Sequence, residues 1–461
     1  MALMVGISGV RGIVGESLTP PVLVRYAAAF AGYCRRNATG KPLIIVGRDG
    51  RFTGRTAGHL VSSTLIAAGA DVHAIGICPT PTVSMAVRGC GAAGGISITA
   101  SHNPMQWNGL KFFSADGFFL DAEAVAELRG LAAAGSSPFA PWDEWGEHHA
   151  DETWLSRHVY RVVSSPHVDI SLIQSRHFKV VVDCVNAAGG YVVPDLLREL
   201  GCEITELHCE VSGVFAHDPE PLPHNLTELR TRVAAEKADL GIAVDPDVDR
   251  LVFVTEKGEP FGEENTIALA VEHVLTKETA RGRTPLPPVA VNLSTTRAVD
   301  DIARQHGTTV IRTPVGEANV VAAMRKAGSV VGGEGSGGVI VPSIHPGRDA
   351  LTGIGLALEA LAERKCTLSE MQARLPSYFI AKAKGEVDQA AAERGLVSLK
   401  KRYEGRAMAD TRDGLRLDFP DYWVHLRRSN TEPVVRIFAE ARTAEEAEGL
   451  AQRFMRELKQ A

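Results

Sequence analysis

Three separate stretches of the chain carry the same order of elements, and this repetition limits the fold more than any other feature. Residues 43–47 (Leu43-Ile44-Ile45-Val46-Gly47) form an apolar run of buried-strand type. A helix-length stretch follows from about 53 to 68, then Gly69 and a second strand near 71–77. The order returns at 178–184, with a helix to about 200, Gly201 and a strand near 203–207. It returns once more at 288–292, with a helix to about 306, Gly307 and a strand at 308–312. Short apolar runs alternating with helical stretches build βαβ units and mostly parallel sheets. Gly69, Gly201 and Gly307 each stand just before a strand with a β-branched residue (Val72, Ile204, Val310), where a helix C′ position asks for positive φ. One such junction is ordinary; three of them, more than a hundred residues apart, point to a triplicated α/β domain.

The C-terminal stretch differs. Strand-like runs at 414–418 and 422–426 flank Pro420-Asp421, and Val434 to Ala441 reads as another strand. Residues 443–459 read as a charged amphipathic helix opened by Thr443 with Glu446 three positions on, a capping-box pattern. A length of 461 residues, at about 150 per domain, allows three or four domains. The expected fold class is therefore α/β. Three similar α/β domains with mixed sheets (1–150, 151–257, 258–368) precede a C-terminal antiparallel-sheet-and-helix domain (369–461).

Charge and composition narrow the function. A net charge of −6 argues against a nucleic-acid binder with a broad basic face. No apolar run approaches ~18 residues, so no membrane span is expected. The start, Met1-Ala2-Leu3-Met4-Val5-Gly6, soon reaches Arg11 and lacks a secretory apolar core. Seven cysteines (34, 78, 90, 184, 202, 209, 366) are scattered without a CxxC pair, which suits a reducing compartment. The default location is the cytoplasm.

Two segments carry the chemistry. In Ser97-Ile98-Thr99-Ala100-Ser101-His102-Asn103-Pro104, a strand runs into a turn, because Pro104 pushes Asn103 away from the helical region. Ser101 then sits just past the carboxyl end of a strand, where α/β folds place ligands. A serine hydroxyl needs help to become a nucleophile. His102 is adjacent, and Lys111 follows ten residues on. The surrounding residues are not a Gly-x-Ser-x-Gly elbow, which disfavours acyl transfer.

Asp245-Pro246-Asp247-Val248-Asp249-Arg250 is the second segment, set between Leu240-Gly241-Ile242-Ala243-Val244 and Leu251-Val252-Phe253-Val254. Spacing by two puts three carboxylates on one side of an extended or looped segment. Crowded carboxylates repel one another, and a divalent cation relieves that. A hydroxyl nucleophile with an oxygen-only cation site points to phosphoryl transfer, with Mg²⁺ as the hard ion. An EF-hand loop is the rival: Asp245, Asp247, Asp249 and Glu256 fit its ligand spacing, yet Arg250 stands where the turn wants glycine, and strands flank the loop.

Gly332-Gly333-Glu334-Gly335-Ser336-Gly337-Gly338 contains a literal Gly-x-Gly-x-x-Gly, but strand-like Val339-Ile340-Val341 follows instead of a helix. It reads either as a close-approach loop offering Glu334 and Ser336 to ligand hydroxyls or as a flexible glycine turn. Arg427-Arg428-Ser429-Asn430-Thr431-Glu432-Pro433, between two strands, reads either as a phosphate site or as a charged hairpin loop.

Thr99–Pro104, Asp245–Arg250, Gly333–Gly337 and Arg427–Pro433 occur in the order seen in the α-D-phosphohexomutase family, which the chain resembles over nearly its whole length. Ser8-Gly9-Val10-Arg11-Gly12 and Gly47-Arg48-Asp49-Gly50-Arg51 resemble that family's N-terminal motifs. The resemblance implies four domains around a central cleft. It implies a phosphoserine at Ser101, primed by a hexose or hexosamine 1,6-bisphosphate. Mg²⁺ would be held by Asp245, Asp247, Asp249 and a phosphoserine oxygen at Ser101. Glu334 and Ser336 would read sugar hydroxyls, and Arg427, Ser429, Asn430 and Thr431 would hold the distal phosphate. Arg11, His102, Lys111 and Arg250 match positions that assist transfer, without saying which of them moves protons.

The implied function is a phosphohexomutase, with glucosamine 6-phosphate to glucosamine 1-phosphate as the favoured reaction and a monomer or homodimer as the assembly. Glucose or mannose phosphates are the alternative substrates, and a sugar-phosphate phosphatase is the alternative activity. Some positions depart from the common pattern: Pro246 and Val248 as spacers, Gly338 where many relatives have histidine, and Trp107 where tyrosine is common. Gly347-Arg348-Asp349-Ala350 resembles the phosphoglucosamine mutase branch.

Overall fold

The computed structural model describes residues 3–7, 9–135, 139–428 and 434–460. The chain divides into two compact units. One runs through Thr266 and takes in Gly337–Gln372; the other comprises Ile267–Ser336 and the chain from Ala373 onward.

The first unit contains a seven-stranded sheet in the order Met4–Gly6, Gly9–Ile13, Trp107–Ser114, Gly94–Ile98, Leu43–Arg48, Asp71–Ile77, His148–Ala150. Gly94–Ile98, Leu43–Arg48 and Asp71–Ile77 run parallel, and Trp107–Ser114 pairs antiparallel with Gly94–Ile98. A four-stranded sheet repeats the scheme: Leu251–Thr255, Leu240–Val244, Lys179–Asp183, Glu203–Leu207, with only the first strand antiparallel to its neighbour. Both sheets are mixed: three antiparallel pairings adjoin the parallel set in the seven-stranded sheet, and one does so in the four-stranded sheet. In the second unit Gly332–Glu334, Val289–Asn292 and Val310–Thr313 form the same parallel order. The repeat read from sequence is therefore a repeat of strand order.

The helices follow their local signals. Helices Gly54–Ala67, Gly189–Glu199 and Ala298–Gln305 end where expected, and Gly69, Gly201 and Gly307 all have positive φ, as the C′ glycines require. Helix Ala350–Arg364 is buried from Ala350 through Ala362. Asp349 caps it, accepting from the Leu351 and Thr352 N–H groups, so a buried helix end keeps its donors satisfied. Phe30 packs on Phe112 at 5.0 Å between ring centres, joining helix Pro20–Asn37 to the seven-stranded sheet. Trimming a sealed residue of that core, such as Leu65→Ala, costs about 2–5 kcal/mol.

The last sheet is antiparallel, in the order Phe379–Glu386, Val434–Ala441, Trp423–Arg428, Leu415–Asp418, Met408–Asp410, and helices Gln389–Arg402 and Ala444–Lys459 accompany it. Thr443 accepts the Glu446 N–H at 3.2 Å, the expected cap. Strand Phe379–Glu386 and helix Gln389–Arg402 escaped the sequence reading. The strand is an edge strand with alternating exposure, carrying Lys382 and Lys384, a composition that protects an edge but hides a strand. No helix among the described residues is long and apolar enough to cross a membrane.

Candidate active site

Ser101 lies just beyond strand Gly94–Ile98, and the Asp245–Asp249 loop joins strands Leu240–Val244 and Leu251–Thr255. Folding of the first unit brings the two together. Ser101 is 2 % exposed, and its Oγ donates to Asp245 Oδ2 at 3.0 Å and lies 3.3 Å from His102 Nδ1. Its φ of 50° is left-handed, a conformation that a non-glycine residue holds only when its surroundings dictate it. The Ser101 N–H donates to Thr99 Oγ1 at 2.8 Å, and that hydroxyl donates to Asp49 Oδ2 at 2.7 Å. The serine turn is thus tied to the end of strand Leu43–Arg48.

The carboxylates converge through a turn rather than along an extended strand. The Val248 N–H donates to the Asp245 carbonyl at 3.0 Å, and Asp245 Oδ1 accepts the Asp249 and Arg250 N–H groups, both at 3.1 Å. Val248 sits at φ 60°, a costly conformation for a β-branched residue. One oxygen from each of Asp245, Asp247 and Asp249 falls within 4.8 Å of the others, and all three residues are buried.

Cations face this cluster. Lys111 Nζ lies 2.6 Å from Asp247 Oδ2 and 3.1 Å from Asp249 Oδ2, and Arg348 Nη2 lies 2.8 Å from Asp249 Oδ2. Arg11 Nη1 donates to Asn103 Oδ1 at 3.2 Å. Arg250 Nη1 lies 3.5 Å from Glu220 Oε1. Burial, reinforced by Asp249 and Asp247, pushes the Asp245 carboxyl well above its usual range. Burial would do the same to Asp249, but Arg348, Lys111 and Arg250 overcome it and hold that group ionised. Lys111 stays charged, since Asp247 and Asp249 outweigh the burial that would deprotonate it. His102 is held well below its ordinary value by Arg250, by burial and by Arg11, so its ring is neutral.

The residues fit a divalent cation. Asp247 Oδ1 and Asp249 Oδ1 are buried and have no hydrogen-bond partner, an arrangement that costs energy unless a positive ion meets them. The donor set is all carboxylate oxygen, the preference of Mg²⁺. Arg11 Nε and Arg250 Nε are also buried without acceptors, leaving positive charge available to an anion.

Four family descriptions match in succession: phosphoglucomutase/phosphomannomutase alpha/beta/alpha domain I over residues 2–138, domain II over 156–258, domain III over 263–379, and the C-terminal domain over 381–457. A probable phosphoglucosamine mutase of Methanopyrus kandleri is 39% identical over 98% of this chain and 96% of its own. The chain belongs to the phosphoglucomutase/phosphomannomutase family. A phosphoglucomutase/phosphomannomutase of Thermococcus kodakarensis is 36% identical over 97% of this chain and 96% of its own. The crystal structure of a phosphoglucomutase/phosphomannomutase family protein from Burkholderia thailandensis superposes with a TM-score of 0.85 at 28% identity, covering 99% of this chain and 98% of that one. Members of this family are intramolecular phosphotransferases of the isomerase class.

The second unit of this phosphoglucomutase/phosphomannomutase family member holds the other expected residues. Glu334 is buried, and its Oε1 accepts from Asn292 Nδ2 at 2.8 Å and from the Gly316 N–H at 3.0 Å. Ser336 is half-buried, and the neighbouring Gly335 N–H donates to Thr295 Oγ1 at 3.1 Å. Arg427 Nε pairs with Asp413 Oδ2 at 2.9 Å. Ser429, Asn430 and Thr431 lie outside the described residues.

Three contributors were not singled out from the sequence. Thr80 Oγ1 donates to Asp247 Oδ2 at 2.5 Å, and its N–H donates to the Asp247 carbonyl at 2.9 Å, so the start of helix Thr80–Cys90 fixes the carboxylate loop. Arg348 was quoted only as a branch marker, yet it contacts Asp249 directly. Arg51 was quoted within a motif but given no task. Its guanidinium donates to the main-chain carbonyls of Ser101, Asn103, Pro104 and Trp107 at 2.6–2.9 Å. The only local signal for Arg51 was its alternation with Asp49 past an apolar strand, and Thr80 had none.

Proposed function

We propose that this family member moves a phosphoryl group between O6 and O1 of a hexosamine phosphate through phosphoserine at Ser101 and a sugar bisphosphate, converting glucosamine 6-phosphate to glucosamine 1-phosphate. The observation that carries the reading is Ser101 Oγ at 3.0 Å from Asp245 Oδ2, beside two buried carboxylate oxygens without partners. When phosphoserine donates, the P–O bond to Ser101 Oγ breaks as a sugar hydroxyl oxygen bonds phosphorus. The proton lost by that hydroxyl ends on the freed Ser101 oxygen; when the bisphosphate has turned around, Ser101 Oγ gives up the proton as it takes the other phosphoryl group, and the sugar oxygen left behind is protonated. Lys111, Arg11, Arg250 and Arg348 supply fixed positive charge where the transferring group builds up negative charge. Asp245, Asp247 and Asp249, with a phosphoserine oxygen, would hold Mg²⁺, which when bound spreads charge off that group.

A mutase needs a second anion site for the phosphate that stays behind. Arg427, with Ser429, Asn430 and Thr431, is the proposed clamp; Glu334 and Ser336 are the proposed readers of sugar hydroxyls. The amino-sugar choice is supported by the name of the Methanopyrus relative. The run Gly333-Glu334-Gly335-Ser336-Gly337-Gly338 followed by Gly347-Arg348-Asp349-Ala350, which resembles the phosphoglucosamine mutase branch, supports it as well. The Thermococcus relative's name supports a second reading, with glucose or mannose phosphates as substrates.

Coupled assays with glucosamine 6-phosphate, glucose 1-phosphate and mannose 1-phosphate, each primed with its 1,6-bisphosphate, test this. The expected kcat/KM for glucosamine 6-phosphate is at least about tenfold above the others, a difference of about 1.4 kcal/mol. A reversed order sinks the amino-sugar choice. Free phosphate released faster than isomer appears would replace the mutase by a phosphatase.

A further inference from the structure

Away from the serine and the carboxylate loop, a second cluster forms at the carboxyl end of strand Lys179–Asp183. His208 Nδ1 and His217 Nε2 both approach one atom, Asp183 Oδ2, at 3.2 and 3.0 Å. The far nitrogen of the His217 ring is already committed. His217 Nδ1 lies 2.8 Å from the Asp218 carbonyl, which can only accept, so that nitrogen carries the hydrogen. His208 Nε2 lies 3.4 Å from Oε2 of the exposed Glu228, an ion-pair distance that leaves its tautomer open. A neutral ring has one N–H, so the near nitrogen of a neutral His217 aims its lone pair at a carboxylate oxygen. Acceptors do not face acceptors unless positive charge lies between them. Either His217 is imidazolium, its ring centre 5.6 Å from that of His208, or one cation serves Asp183 and both rings.

The second solution matches how metal-binding histidines are built. Such a ring donates its far N–H to a carbonyl or carboxylate, fixing the tautomer that offers the near nitrogen to the ion. Ligands about 2.1 Å from a tetrahedral ion stand roughly 3.4 Å from each other, close to the separations here. The remaining Asp183 oxygen accepts the Val185 N–H at 2.9 Å, so the carboxylate is fixed too. The backbone is held in left-handed geometry at Val185, Asn186, His208 and Val211, an expense that needs repayment in local contacts.

We propose that Asp183, His208 and His217 form a binding site for a transition-metal dication, with Zn²⁺ the natural occupant. Two imidazoles and one carboxylate favour Zn²⁺ or Co²⁺ over the Mg²⁺ suited to an all-oxygen site. The ion clips the segment from His208 to His217 onto the sheet. That segment places the Phe215 ring 5.0 Å from the Arg51 guanidinium, and Glu220 just beyond it pairs with Arg250. The clip therefore supports two arginines of the serine site without touching the reacting atoms, and it stands whether or not the sugar assignment holds.

Full-length enzyme, stripped with chelator and kept in saturating Mg²⁺, is titrated with Co²⁺ by visible absorption. One equivalent should bind with the intense bands of four- or five-coordinate cobalt, and Zn²⁺ should displace it. His208→Ala/His217→Ala should lose that equivalent, and His217→Ala alone should bind Co²⁺ at least about tenfold more weakly. Six-coordinate cobalt at the all-oxygen site absorbs far more weakly, so the two sites are distinguishable. Zn²⁺ should also raise the melting temperature of the wild type but not of the double variant. No intense band in the wild type, or an unchanged band in the double variant, overturns the proposal. Imidazole nitrogen NMR is the second measurement: a metal-bound shift at His217 Nε2 supports it, and imidazolium signals indifferent to Zn²⁺ overturn it.

Discussion

Arg51 Nη2 donates to the Ser101 carbonyl at 2.6 Å from a side chain fully sealed from solvent. The same guanidinium pairs with Asp49 Oδ2 at 3.0 Å and reaches three further carbonyls of the serine turn. A planar fork can serve several acceptors at once; a lysine ammonium cannot. Arg51→Lys keeps the charge beside Asp49 but leaves buried carbonyls without a donor, and should therefore lower stability by about 1–3 kcal/mol. Turnover should fall with it as the turn loosens. Denaturant unfolding alongside steady-state kinetics measures both, and wild-type values in both would remove Arg51 from the support of the turn.

Ser101→Ala should retain the fold, because the turn is held through main-chain groups and through Thr99. Turnover should all but vanish, since no oxygen remains to carry the phosphoryl group. Intact mass spectrometry after incubation with a hexose bisphosphate should show a phosphate adduct mapped to Ser101 in the wild type and none in the variant. Near-normal turnover by Ser101→Ala would defeat the assignment.

Chelation should abolish isomerisation and added Mg²⁺ should restore it, because Asp247 Oδ1 and Asp249 Oδ1 otherwise lack a partner. Asp247→Asn should cost on the order of a hundredfold in kcat, as for other losses of fixed electrostatic stabilisation. Activity in chelator equal to that in Mg²⁺ would exclude the cation from the reaction.

Arg427 is held by Asp413 on the last sheet. If it grips the distal phosphate, Arg427→Ala should lower kcat/KM by about 2–4 kcal/mol, the scale of a lost charge-assisted contact. An unchanged kcat/KM would take that loop out of substrate binding.

His345 supplies a pH test. Burial, opposed by Asp349 but helped by His158, Arg88 and Arg161, lowers its pKa to about 3. The folded value lies below the unfolded value of about 6.5, so the contribution to stability is complete above pH 6.5. It is lost as pH falls from there towards 3. Unfolding free energy should decline over that interval by about 1 kcal/mol per unit, and His345→Gln should flatten the slope. An identical pH profile for the two proteins would show that His345 does not contribute.

Much of the fold was legible. Strands Leu43–Arg48, Asp71–Ile77 and Glu203–Leu207 lie within a residue or two of their expected positions. So does helix Ala444–Lys459, whose cap at Thr443 is a contact three residues long. Strand Phe379–Glu386 was missed because an edge position needs no continuous apolar signal. The Asp245–Asp249 cluster was legible as three carboxylates, but the turn and the left-handed Val248 that bring them together were not.

Residue types and their periodicity settled the elements, the hydroxyl and the acidic loop, because each depends on side chains within a few positions of one another. Contacts such as Thr80 with Asp247, Arg348 with Asp249 and Arg51 with four distant carbonyls were decided by tertiary structure alone. They link positions dozens to more than a hundred residues apart and leave no local pattern. The division of charge among the carboxylates was decided there as well. Burial raises Asp245 while Arg348 and Lys111 hold Asp249 ionised, and neither burial nor those neighbours exist until the strands have been brought side by side.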